Sequence, residues 1–242
     1  MAGNVPVTSG CEWLALQRGW ILKRGSVMVE GSSDVAYFNH ASKLYEIEEK
    51  KRLIDDDFSI FAAGMGDEGG TFGISESFPT LFNLADIDAK NTPSKKYKVI
   101  ALVDDDKMGQ AAAGGISRGH RSIIEYEVIF RLRRKMPLRA GSTRALEQKT
   151  KEANSEYGNL ECVIEDLISS EFHQKFISKM PQANWKPSIH KGTGAHHYLT
   201  EDGKRQLLKF TIESATIADL QSIVDILKSL RTYVGLPPDG SL

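Results

Sequence analysis

Apolar residues fall along the chain in short dense runs separated by longer amphipathic stretches, and three runs predict buried strands. Val27-Met28-Val29, within residues 26–30, is the first. Phe58-Ser59-Ile60-Phe61-Ala62-Ala63 is the second, and Val99-Ile100-Ala101-Leu102-Val103, within 98–103, is the third. The third is apolar almost without interruption, as in a strand covered on both faces. Val35, Phe38, Leu44 and Ile47 give a helical stripe after the first run, with Ser33 as the expected N-cap. Phe78, Leu81, Phe82 and Leu84 predict a second helix over about 75–89. A glycine-rich loop, Gly64–Gly70, leads into it, and a polar, lysine-bearing turn at 90–97 leaves it. Strands alternating with helices at this spacing predict a parallel, helix-covered sheet.

The flanking segments are less regular. Trp13, Leu14, Leu16, Trp20, Ile21 and Leu22 predict a short helix or strand on the domain edge within residues 1–24. Residues 110–120 are rich in Ala and Gly and read as a loop or frayed helix. Residues 123–132 suit a strand or short helix, and the polar stretch 139–158 reads as a mobile insertion. Leu160, Val163, Ile164, Leu167, Phe172, Phe176 and Ile177 predict a helix over 159–180. A loop at 183–203 holds three histidines. A helix or helix pair covers about 204–235, and a frayed tail follows. The organisation expected is an edge segment (1–24), a core (25–135), and an insertion with a mainly helical extension that completes the domain (136–242).

With 242 residues the chain suits one large domain or a domain with an appendage. Its 40% hydrophobic and 26% charged residues are ordinary for a soluble protein. The net charge of −1 means that any nucleic-acid contact needs a local basic patch. Cys11 and Cys162, with no CxxC pair, argue against a cysteine zinc site and suit a reducing cytoplasm. No signal-peptide core and no apolar stretch of about 20 residues is seen, so a soluble, cytoplasmic protein is expected, without a membrane contact.

The first and third runs both stop abruptly at carboxylates, as Glu30-Gly31-Ser32-Ser33-Asp34 and Asp104-Asp105-Asp106. In an open α/β sheet the carboxyl ends of strands face one crevice. Gly31 permits close approach of backbone or substrate, and Asp34 falls one turn into the helix, near Glu30. Alternation along an extended chain puts Asp104 and Asp106 on one face and Asp105 on the other. Each motif alone also suits an acidic strand-to-helix turn. Together they would repel unless a hard divalent cation neutralised them, and Mg²⁺ takes oxygen ligands. Such a site suggests phosphodiester chemistry.

Arg131, Arg133, Arg134, Lys135, Arg139 and Arg144 lie in a stretch without an acid and form the candidate phosphate-contacting patch. A solvated face or a contact with an acidic partner is the alternative. His190, His196 and His197 read as loop histidines rather than metal ligands. There is no GxxxxGK[ST] phosphate loop.

The stretch VMVEGSSDVAYF and the later DxD resemble the Toprim domain, whose signature is a Glu after its first strand and a DxD after a later one. Glu30 matches the Glu, and Asp104 and Asp106 match the DxD; the likeness covers about 25–110. A response-regulator receiver and a haloacid-dehalogenase-type phosphatase fit less well. The receiver lacks its acceptor Asp here, and Met108 replaces the phosphatase Thr or Val. Beyond residue 110 the chain resembles the nucleases of the overcoming-lysogenization-defect (OLD) proteins. Leu160–Leu167 is similar to the acidic helix that adds a metal ligand there, from Glu161 or Glu165. Gly203–Lys209 falls where that subgroup carries a functional lysine, Lys204 first and Lys209 second.

The resemblance implies an α/β fold of Toprim, Rossmann-like type with a helical C-terminal extension. It implies a nuclease with Mg²⁺ or Mn²⁺, two ions, held by Glu30, Asp104 and Asp106 with Asp34 and Glu161 or Glu165. Glu30 can instead serve as general acid/base. It further implies a DNA or RNA substrate, including tRNA, a separate ABC-type ATPase partner, a role in anti-phage defence, and a possible homodimer. The alternatives are a non-catalytic Toprim scaffold or regulatory subunit, and a ribosomal-RNA-maturase-like ribonuclease.

Overall fold

Val27 and Val29 face one way from the first strand and Met28 the other, so this five-residue strand, buried throughout, needs cover on both sides. A computed structural model, which describes residues 9–64, 69–91 and 97–240, supplies that cover. Strands β1 (Gly25–Val29), β2 (Phe58–Ala62), β3 (Lys98–Val103) and β4 (Ile129–Arg131) form a parallel sheet in the order β2-β1-β3-β4. The two faces separate by residue parity. Val27, Val29, Ile100, Leu102 and Phe130 belong to one core, while Met28, Val99, Ala101, Val103 and Ile129 belong to the other.

Helices α1 (Gly10–Arg18), α3 (Gly70–Asn91) and α4 (Lys107–Gly119) cover the second face. The first is covered by α2 (Ser32–Glu49), α6 (Ser170–Lys179), α7 (Glu201–Ser214) and α8 (Gln221–Tyr233). The fold is therefore α/β and Rossmann-like, with helices on both sides of a parallel sheet. The C-terminal extension is not an appendage. Tyr233 of α8 stacks on Phe130 of β4 with ring centroids 4.5 Å apart. The buried Arg231 donates to the carbonyls of Leu53 and Pro237 and pairs with Asp55 at 3.0 Å. No helix among the described residues is long and apolar enough to cross a membrane.

Several expectations are corrected. The N-cap of α2 is Gly31, and Ser33 lies inside the helix. Residues 110–119 belong to α4, whose N-cap Asp106 accepts from the Gly109 N–H at 2.7 Å, and His120 is its C-cap. Its small residues are the buried stripe: a Cβ on Gly109 would lie 2.0 Å from the Asp104 carbonyl oxygen. The stretch 139–158 is not a mobile insertion. It forms α5 (Thr143–Ala153), capped by Ser142 and pinned by buried Leu146 and Thr150, then a short turn with buried Tyr157. No single helix spans 159–180. Cys162 forms an antiparallel bridge with Asp105, a 3-10 turn covers Ile164–Leu167, and α6 follows. The 183–203 loop contains a hairpin, β5 (Ile189–Lys191) with β6 (Gly194–His196). The second predicted helix starts earlier, at Gly70; the remainder of the glycine-rich loop, 65–68, and residues 92–96 of the lysine-bearing turn lie outside the described residues.

Candidate functional site

The carboxyl ends of β1 and β3 lie side by side because these strands are paired neighbours. Glu30 and Asp104 are the first residues beyond them, and the Glu30 carboxylate accepts from the Asp104 N–H at 2.9 Å. Asp34 sits at the third position of α2 and accepts from the Gly31 N–H at 2.9 Å. The 3-10 turn brings in Glu165, buried at 4% exposure, and the first turn of α7 brings Glu201 and Lys204. Together with Gly70, Arg205 and Leu208 these line a cavity of about 250 Å³. Asp106 stands beside it as the cap of α4, close enough to act on both Glu30 and Asp104.

The electrostatics are those of crowded, buried like charges. Burial raises Glu30, offset by the Asp104 N–H and Lys204 and reinforced by Asp106. Burial pushes Asp34 up to about 7, with Glu165 and Glu30 adding to the rise against the Gly31 N–H and Lys204. Asp104 is raised well above the ordinary carboxylate range by burial, then by Asp34, Glu30, Glu165 and Asp106. Burial raises Glu165, and Lys204 opposes it. Burial also works against the charge on Lys204, but Glu165, Glu201, Asp104 and Asp34 outweigh it and raise its pKa. Proximity of like charges disfavours joint ionisation. Among the described residues, Lys204 is the one cation lining the cavity that offsets the rise in Glu30, Asp34 and Glu165 alike.

The donor set is all oxygen and short of positive charge, which suits a hard divalent cation. The side chains as placed do not converge on one point. Glu30, Asp34 and Asp106 each accept from a backbone N–H. Among the described residues no group of three His, Cys, Asp or Glu is arranged to hold a metal ion.

The two open choices separate in space. Because 159–163 is not helical and Ile164–Leu167 is a separate 3-10 turn, Glu161 and Glu165 do not share a helix face. Glu165 enters the cavity, whereas Glu161 faces His196 Nε2 at 3.5 Å in a separate depression. Lys204 lines the cavity. Lys209 is five residues on, about 140° round the helix at 3.6 residues per turn. It is exposed and lies 4.0 Å from Glu213. Glu201 and Arg205, which the sequence reading missed, carried only the signal of lying within one turn of Lys204.

The basic stretch is not a continuous cationic face. Arg131 pairs with Glu125 at 2.6 Å and Asp105 at 3.1 Å, and Arg133 also pairs with Asp105. Arg134 donates to the carbonyls of Leu160, Glu161 and Ala195. Lys135 pairs with Glu156 at 2.8 Å, Arg139 is half-buried, and Arg144 is exposed. The arginines at the end of β4 thus brace the acidic loop through Asp105, which points away from the cavity as its alternation predicts. The histidines are also more ordered than loop residues. His196 binds Asp166 at 2.7 Å, and His197 stacks on His173 with centroids 3.4 Å apart.

A larger cavity of about 500 Å³ lies between Arg134, Tyr157, Ser169, His197 and Asp225. The carboxylate cavity, though smaller, holds the acids raised by burial, whereas burial of Asp219 in the larger one is outweighed by hydrogen bonds from Thr216 and Ser169, which lower it. Comparison of the chain with protein-family models, with curated proteins and with solved structures gives no match.

Proposed function

We propose that the protein is a metal-dependent nuclease of Toprim type, cleaving phosphodiester bonds of DNA or RNA. The observation that carries the reading is the gathering of Glu30, Asp34, Asp104 and Glu165, all pushed toward protonation, around one cavity with Lys204. Perturbed acids grouped in a cleft mark candidate functional sites. Glu30 and Asp104, with Asp34, Asp106 and Glu165, would hold Mg²⁺ or Mn²⁺. The ions would supply charge neutralisation and an activated water. Lys204 would stabilise negative charge on the phosphoryl group. Glu30, raised by burial, can hold or give a proton beside the substrate. Arg131 and Arg133 position the acidic loop rather than touch substrate. An ATPase partner, a role in anti-phage defence and a cytoplasmic location belong to this reading through the OLD resemblance.

The test is cleavage of supercoiled plasmid, linear DNA and total tRNA with Mg²⁺ or Mn²⁺. Wild type cleaves at least one, and Glu30→Gln and Asp104→Asn cleave none while staying folded. Full activity in either variant rejects the assignment.

A second reading is favoured by one observation: the acids are engaged by backbone N–H groups, and among the described residues no three are arranged around an ion. In that reading the chain is a regulatory or scaffolding subunit that binds a partner without cleaving. Calorimetric titration with Mn²⁺ separates the two, since the scaffold binds no metal in the cavity.

A further inference from the structure

Buried polar groups are nearly always hydrogen-bonded, so one that is not needs a reason. Tyr37 of α2 is fully buried, three residues after Asp34 and on the same helix face. Its hydroxyl has no hydrogen-bond partner among the described residues. Thr211 of α7 adjoins the phenol, but its own hydroxyl donates to the Leu207 carbonyl at 2.8 Å. Of the charges around the phenol, Glu165 acts on it most strongly and Asp34 next.

Glu165 is the matching acceptor. The backbone of its turn is fixed through Asp166, which accepts from the Val163 N–H at 3.1 Å and the His197 N–H at 2.9 Å and binds His196 Nδ1 at 2.7 Å. The Glu165 side chain is buried too, yet among the described residues no other side chain donates a hydrogen bond to it. Asp34, by contrast, already accepts from the Gly31 N–H at 2.9 Å. A buried donor without an acceptor thus adjoins a buried acceptor without a side-chain donor. Each has given up water with nothing in return, a cost that one hydrogen bond between them would remove.

We propose that the Tyr37 hydroxyl donates to one oxygen of the Glu165 carboxylate when the cavity holds a divalent cation, so that the other oxygen is turned toward the ion. Tyr37 is then a positioning residue, acting through Glu165 and touching neither ion nor substrate. This rests on the reading of the cavity as a cation site, and it adds to that site a residue outside the acidic set.

The test is calorimetric titration with Mn²⁺, beside thermal melting of the metal-free protein, for wild type, Tyr37→Phe, Glu165→Gln and the double variant. Tyr37→Phe removes one oxygen atom and keeps the ring. It should weaken Mn²⁺ binding by about tenfold or more, the scale of losing the partner of a metal-ligating side chain. Without metal it should melt no lower than wild type, because the hydroxyl it removes is unpaired. In the Glu165→Gln background the same substitution should change Mn²⁺ affinity no further, as for two residues acting through one contact. Unchanged affinity in Tyr37→Phe overturns the proposal. So does a lower metal-free melting temperature, which would give the hydroxyl a structural partner, and so does a full tenfold loss in the Glu165→Gln background, which would assign it to another group. Wild type that binds no Mn²⁺ rejects the cation reading and the proposal together, whereas equal binding by wild type and Tyr37→Phe rejects the proposal alone.

Discussion

The Glu30 carboxylate accepts the backbone N–H of Asp104 at 2.9 Å, so the acid at one strand end is tied to the chain at the end of the neighbouring strand. Removing charge at either position relieves repulsion and removes a metal ligand at once. Asp104→Asn should therefore melt a few degrees above wild type without metal, since a stabilisation of about 1 kcal/mol raises the melting temperature by about 2–4 °C in a chain of this size. Wild type should gain further stability on adding Mn²⁺, as ligand binding to the folded state requires. The variant should gain little. Thermal denaturation with and without Mn²⁺ checks both halves, and a variant that melts lower without metal would contradict the repulsion argument.

The paired candidates give opposite outcomes. Glu165→Gln and Lys204→Ala should each lower cleavage by about a hundredfold or more, the scale of losing one electrostatic contact to the transition state. Glu161→Gln and Lys209→Ala should stay near wild type. Single-turnover rates on whichever substrate wild type cleaves decide this, and a large loss in Lys209→Ala would exchange the assignments.

Much of this arrangement was legible in the sequence, for a physical reason. Strand runs bounded by acids specify both the sheet and the edge at which Glu30, Asp34 and Asp104 meet, because parallel strands end together. Glu165 against Glu161 was not legible. The choice depends on whether 159–163 is helical, and the bridge from Cys162 to Asp105 is a long-range contact that local periodicity does not encode. Helix α4 was hidden for the opposite reason. Its four glycines lower helix propensity, and the close approach of Gly109 to Asp104 leaves no room there for a side chain.

That approach makes Gly109 a sharp probe. Gly109→Ala puts a methyl group 2.0 Å from the Asp104 carbonyl oxygen, so α4 or the acidic loop must move. A loss of about 1–3 kcal/mol is expected, as for overpacking elsewhere. Urea denaturation measures it. Wild-type stability in this variant would mean that α4 sits farther from the loop.

Asp105 is 3% exposed and answers Arg131 and Arg133. Asp105→Asn leaves two guanidinium groups without their shared anion, and breaking such a pair costs about 3 kcal/mol. Metal affinity should fall with it, because the loop holding Asp104 and Asp106 loses its brace. If calorimetry finds Mn²⁺ bound as tightly as in wild type, the brace has no role in shaping the site.

The stacked pair His173 and His197 predicts a loss of stability in mild acid. Burial lowers His173 to about 4, against Asp166. It lowers His197 to about 3, helped by His173, His190, His196 and Arg134. Above the ordinary imidazole value of about 6.5 both rings are neutral whether folded or not, and stability is full. As the pH falls below that value the unfolded chain takes up protons that the folded pair refuses, so stability declines toward the folded values. His196 is raised by Asp166 and Glu161 and works the other way. Urea denaturation at pH 7 and pH 5 should show a drop of about 1–3 kcal/mol. That drop should shrink in His173→Gln/His197→Gln; an unchanged drop assigns it to other groups.

The cavity draws Glu30 from the end of β1 and Lys204 from α7, 174 residues later in the sequence. During synthesis the acids of β1 and β3 emerge long before the lysine that acts on Glu30, Asp34 and Glu165 alike. An unfinished polypeptide therefore carries the carboxylates without their counter-charge and without Glu165. Order of emergence alone keeps the site incomplete until α7 has left the ribosome.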